Sequence, residues 1–256
     1  MCRVLFRVWA FTQTFTNSLR SLPPRYGFNA CSTLALASGD ATTEGVLKFA
    51  SYDFSGTASH VVVTTTIAAA AGCLTTTFLG MVMSPDNVID ISNANNGILA
   101  GLVSITAGCS VVEPVGAFFI GAIGGCFYLA GVAFLEKLKI DDVVGAVPVH
   151  GFCGFWGTVA VGLFASELQY ANAYYGDRAE KCAGVFYGGD GSSLAANFVF
   201  CLAVIAWVGT MAAVVFLGCK CTIGVRVSRQ VEEDGMDDSK HGGKVFEATA
   251  VPTQEI

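Results

Sequence analysis

The chain has 256 residues, 53% hydrophobic and only 13% charged, with a net charge of −6 and a mean hydropathy of +0.59. An ordinary soluble domain carries about 25% charged residues, so roughly half the usual solubilising groups are missing. The composition excludes a disordered chain, argues against a soluble enzyme, and offers no basic surface for nucleic acid.

In chain order, residues 1–25 hold Arg3, Arg7, Arg20 and Arg25, several Ser and Thr, and no acid. That composition is like a transit peptide, and the segment is left unassigned. A membrane domain is expected over 26–222, followed by a polar tail over 223–256. A spanning helix needs about 20 mainly apolar residues. Runs free of Asp, Glu, Lys and Arg cover 58–83, 97–112, 115–135, 143–166 and 191–219, with a short stub at 28–37. The expected fold is therefore all-α: a polytopic membrane helical bundle of about five spanning helices. Five spans put the tail opposite the loop at 38–57. Lys137, Lys139, Lys220, Arg226 and Arg229 then share one side, against Lys48, Arg178 and Lys181 on the other. The positive-inside rule predicts an integral membrane protein with a cytoplasmic C-terminus.

The small-xxx-small spacings at Gly97/Gly101 and Gly121/Gly125 let helix backbones approach closely, within one bundle or between chains. Cys73, Cys109, Cys126, Cys153 and Cys201 lie inside apolar runs and read as small hydrophobes. Without a Cys-x-x-Cys pair, no metal site or other cofactor is expected. Cys219 and Cys221 flank Lys220 where the last run ends, either as acylation sites or as plain juxtamembrane cysteines. The tail begins acidic, with Glu232, Glu233, Asp234, Asp237 and Asp238, and reads as solvated.

A polar side chain inside a span is a functional-site candidate. His150 lies a third of the way into an otherwise uncharged run. A neutral imidazole has one donor and one acceptor, so it can line a narrow pore and pass a proton, or simply bond a neighbouring helix. Asp141 and Asp142 precede that run, where acids cap free amides and suit the helix dipole. His60 sits near the end of the first span and reads as a solvated histidine. Thr64, Thr65 and Thr66 can return hydrogen bonds to their own helix. The glycines of 188–191 lack the Lys-Ser/Thr of a phosphate loop and read as a turn.

Several strings together resemble one family. Asp141-Asp142, then Gly145-Ala-Val-Pro-Val-His150-Gly-Phe-Cys-Gly-Phe-Trp-Gly157, is similar to the tenth spanning helix of the ammonium transporters (Amt/Mep/Rh). Tyr26-Gly-Phe-Asn-Ala-Cys-Ser32 resembles the end of their sixth helix, Ala68-Ala-Ala-Ala-Gly72 the seventh, and Asn95-Asn-Gly-Ile-Leu-Ala-Gly-Leu-Val-Ser-Ile-Thr106 the eighth. Glu233-Asp-Gly-Met-Asp-Asp-Ser-Lys-His-Gly242 is similar to the cytoplasmic tail motif. The likeness runs in order from about 26 to 247.

The resemblance implies the second half of an eleven-helix fold built from two inverted halves and a last helix. It also implies a homotrimer with one pore per subunit, usually in the plasma membrane, and no catalytic residues. His150 matches one of two touching pore histidines, Phe28 an outer-gate phenylalanine, Ser32 an ammonium-recruiting hydroxyl and Thr106 a pore-lining threonine. Asn29 and Asp142 are expected to be structural near the pore. The implied substrate is ammonium or ammonia. By helix count the chain starts at the end of the sixth helix, so the other pore histidine and second gate are not expected in it. This predicts a truncated chain that does not conduct alone, or alternatively a non-conducting subunit that associates with full-length homologues. Asp53-Phe-Ser-Gly56 with His60 is like the family's fifth-helix motif, but its order and spacing are wrong, so His60 is excluded from the pore.

Overall fold

The computed structural model describes residues 29–30, 54–173 and 179–236. Phe28 and Ser32 lie outside the described residues. The chain divides into two units, Met1–Leu202 and Ala203–Ile256.

In the first unit, α1 (Phe54–Met83) is 30 residues long, about 45 Å at 1.5 Å per residue. Its Thr66, Thr76 and Thr77 hydroxyls donate to carbonyls four residues back, which hides their polarity inside the helix. Asp90 then starts α2 (Ile91–Thr106), its carboxylate accepting from the Ser92 amide at 2.8 Å. Pro114 opens α3 (Pro114–Leu138), where a missing N–H costs nothing. Lys139 ends that helix in the left-handed region at φ 55°. A π-helical turn, Val147–Phe152, runs directly into α4 (Cys153–Phe164). The short α5 (Glu167–Ala173) and α6 (Ala179–Cys182), and a 3-10 turn (Val185–Tyr187), lead to α7 (Ser192–Thr222).

Helices α1, α2 and α3 pack through glycine. A methyl group at Gly101 or at Gly121 would run into the Ala68 carbonyl, and one at Gly97 into Thr76. The small-residue pairs are therefore spent on contacts inside the chain, where close approach maximises dispersion and leaves no gap. Leu102, Ile105, Ile120, Val61 and Val112 are fully buried between these helices. Large apolar side chains also point outward, among them Val63, Phe78, Phe118 and Phe119. In water that pattern would be a liability, whereas in lipid it is the expected exterior.

Four helical stretches are long and apolar enough to cross a membrane: Gly56–Met83, Pro114–Leu138, Val147–Phe164 and Ser192–Thr222. Together with the family likeness, they make this an integral membrane protein. The expected span over 97–112 is shifted toward the N-terminus at the same length. The Asp90 cap draws 91–96 into α2, which stops at Thr106 after 16 residues, about 24 Å. Half of its side chains are buried by its neighbours. The expected span from residue 143 starts late, because Gly145 turns the chain at φ 65°.

In the second unit α7 continues with exposed Ile205, Trp207, Val208, Val214 and Phe216. After a turn at Gly224 (φ 78°), Ser228 caps α8 (Arg229–Asp234), its hydroxyl accepting from the Val231 amide. The Nε and Nη2 of Arg226 donate to the two Glu232 carboxylate oxygens, at 2.8 and 2.7 Å.

Candidate functional site

The site is built around the entry to α4. Gly145 bends the chain, and the Asp142 carboxylate accepts from the amides of Ala146 at 2.9 Å and Val147 at 2.8 Å. Two amides that open the turn are thereby satisfied, and the negative charge sits at the positive end of the helix dipole. The turn that follows carries His150.

Within that turn Pro148 and Val149 are buried, while His150 and Gly151 are exposed. The imidazole of His150 has no hydrogen-bond partner among the described residues. The reading in which it bonds a neighbouring helix therefore has no counterpart there. Below it, α4 is locked on one side. Cys153 is fully buried, with its thiol donating to the Gly124 carbonyl at 3.4 Å. Trp156 donates to the Ile120 carbonyl at 2.9 Å and stacks on Phe127, with ring centroids 5.4 Å apart. A rigid packed face thus presents an open face that carries a titratable ring.

Beside the start of the turn lies a cavity of about 250 Å³ lined by Leu135, Ile140, Pro148 and the acids Glu136, Asp141 and Asp142. Close to it, Asn96 donates to the Tyr128 hydroxyl at 2.8 Å. This end of the bundle combines three carboxylates and an apolar wall with Lys137 and Lys139 of the same connection.

The remaining candidates are spread out. Thr106 ends α2 half-buried and donates to the Leu102 carbonyl at 2.7 Å. That leaves the hydroxyl oxygen free to accept. Asn29 is buried and donates to the Thr65 hydroxyl at 3.1 Å, while its Oδ1 is buried with no partner among the described residues. No hydrogen bond joins Asn29, Thr106 and His150 to one another. His60 is half-buried rather than simply solvated, with Nε2 2.8 Å from the Val112 carbonyl oxygen, so it holds the fold together. Sequence reasoning missed Thr65 as the partner of Asn29, the Asn96–Tyr128 pair, and the π-helical form of the turn. None of these has a local signal, since each depends on which helices become neighbours. Among the described residues no cluster of three His, Cys, Asp or Glu could hold a metal ion.

The model of the Ammonium Transporter Family matches residues 26–246. Over 185 residues the chain is 38% identical to ammonium transporter 1 member 1 of Arabidopsis thaliana, covering 72% of this chain and 36% of that protein. It is 35% identical over 182 residues to ammonium transporter Amt2 of Archaeoglobus fulgidus, covering 71% and 38%. The crystal structure of Candida albicans Mep2 superposes with a TM-score of 0.71 at 22% identity, over 84% of this chain and 43% of that one. That of Saccharomyces cerevisiae Mep2 gives 0.63 at 21%, over 82% and 44%. The chain spans about two fifths of the length of the relatives it matches.

Proposed function

This chain belongs to the ammonium transporter family, and from that membership we propose that it is part of a channel-like conductor of ammonium or ammonia, with His150 facing the permeating molecule. The observation that carries the reading is the exposed His150, without a hydrogen-bond partner among the described residues and set by a packed turn on one face of a spanning helix.

The physics follows from desolvation. Stripping water from ammonium costs far more than stripping it from ammonia. An apolar passage therefore transmits the neutral form, provided something accepts the proton and offers a hydrogen bond. An imidazole does both. Thr106 adds a polar contact along the wall. Phe28 and Ser32, by their likeness to the family motif, serve as outer gate and ammonium-recruiting hydroxyl. Asn29 and Asp142 hold structure near the pore. The protein assembles as a homotrimer in the plasma membrane, with its C-terminus in the cytoplasm.

The 256 residues alone do not conduct. The open face of His150 needs an opposing wall before any water-excluding passage exists, and the described residues supply none. In a host lacking ammonium uptake, the chain alone should leave growth on low ammonium unrestored. A complete transporter, made by joining the first half of a relative to residues 26–256, should restore it. His150→Ala in that complete protein should abolish uptake; undiminished uptake would remove His150 from the pathway. Growth restored by the 256 residues alone would overturn the need for a second wall. If the chain instead co-purifies with a full-length homologue and changes its rate without conducting, it is a modulating subunit.

A further inference from the structure

The π-helical turn decides which way His150 points. In an unbroken α-helix, residues at i, i+3, i+7 and i+10 share a face. His150 would then continue the stripe of Cys153, Gly157 and Ala160, all three of which are buried between α2 and α3. It does not. Pro148 and Val149 are buried in its place, and His150 is exposed.

The cause is the π-helical course of Val147–Phe152. The amide of Cys153 donates to the Pro148 carbonyl, five residues back, as well as to His150. An i→i+5 turn contains one residue more than an α turn, which rotates the preceding residues by about 100° relative to an α-helical course.

Such a turn is wider than an α turn and needs room beside it. Gly131 on α3 provides that room. A Cβ built there would lie 3.1 Å from the Cα of Pro148 and 3.1 Å from the Phe152 ring. Both residues belong to the turn, and the Pro148 contact is backbone, which a rotamer change cannot relieve.

We infer that Gly131 is a positioning residue: by seating Pro148 and Phe152, it holds the π turn that rotates His150 off the packed stripe and onto the open face. The inference rests on the proposed role of His150 for its purpose, but its geometry can be measured without transport.

The test is histidine modification by diethyl pyrocarbonate in the purified full chain in detergent, read residue by residue by mass spectrometry. Half-buried His60 serves as the internal reference. In the wild-type chain His150 is modified faster than His60. A side chain at position 131 pushes the turn back toward an α course and buries His150. The His150-to-His60 ratio is therefore expected to fall about twofold in Gly131→Ala and about tenfold in Gly131→Val, in line with the bulk added to a packed contact. Deleting Gly151 removes the extra residue and should lower the ratio as Gly131→Val does. Where Gly131→Val does not purify as a monodisperse species, Gly131→Ala decides alone. A ratio in Gly131→Ala that stays at the wild-type value, or rises, overturns the inference. An unchanged ratio beside a transport-dead His150→Ala sinks the positioning role only. A lowered ratio beside a fully active His150→Ala sinks the functional reading only.

Discussion

The Nε2 of His60 lies 2.8 Å from the carbonyl oxygen of Val112, although the two are 52 residues apart in the chain. A carbonyl only accepts, so this nitrogen carries the proton. Val112 also bridges Ala165, and one turn along α1 the Thr64 hydroxyl donates to the Cys109 carbonyl at 2.7 Å. Helix α1 thus grips the connection between α2 and α3 at two levels.

That grip gives a stability prediction. His60→Ala should cost about 1 kcal/mol, the net worth of one partly buried hydrogen bond. Unfolding of the purified chain by denaturant in detergent micelles would register it. An unchanged midpoint would mean that the bond contributes nothing.

A larger cost is expected at the glycine seam. Gly101→Val must force α1 and α2 apart, because the new side chain meets the Ala68 backbone. A loss of about 3 kcal/mol is expected from such overpacking. Gly209→Val is the control, since a Cβ there meets nothing within 4 Å, and its effect should stay within about 0.5 kcal/mol. Equal effects from the two valines would contradict the close-packed seam.

Asp142 should act through two amides at once. Asp142→Ala removes both acceptors and should cost about 1 kcal/mol, whereas Asp142→Asn keeps one oxygen and should cost less. Hydrogen exchange at the Ala146 and Val147 amides reports this locally. Both should exchange faster in Asp142→Ala, and only one in Asp142→Asn. Exchange as slow as wild type in Asp142→Ala would show that the carboxylate does not protect them.

In the tail, hydrogen bonding from Arg226 holds the Glu232 carboxyl below its ordinary range, assisted by the charge of the guanidinium. A depressed acid contributes stability above its unfolded value, and that contribution is lost as the pH falls through the folded value. The pair is exposed, so the effect on overall stability is small. Carboxyl carbon NMR of the labelled chain should place the Glu232 midpoint below about 4.3, the ordinary glutamate value. Arg226→Gln should return it to that value. A midpoint indifferent to Arg226 would show that the pair does not persist in solution.

The spans were legible because a lipid-facing helix must be apolar over its whole length, which composition alone reveals. Runs 58–83 and 115–135 each fall within a long helix, and run 191–219 does so from Ser192 onward. The exception is instructive. Half of helix α2 is buried by its neighbours, so lipid alone does not set its ends, and Asp90 and the turn after Thr106 do. His150 also stood out in the sequence, as a polar ring in an uncharged run. Its heading was not legible, because an α turn and a π turn can share one local sequence.

By itself, then, the sequence determined the class, the family and the candidate histidine, since hydropathy and motif strings are properties of residues in order. Only the tertiary structure decided which way that histidine faces and what His60 is for. Both depend on whether a backbone or carbonyl from another helix arrives within bonding distance. Gly131 under Pro148 and Val112 opposite His60 are such arrivals, and no residue's own neighbours in the chain announce them.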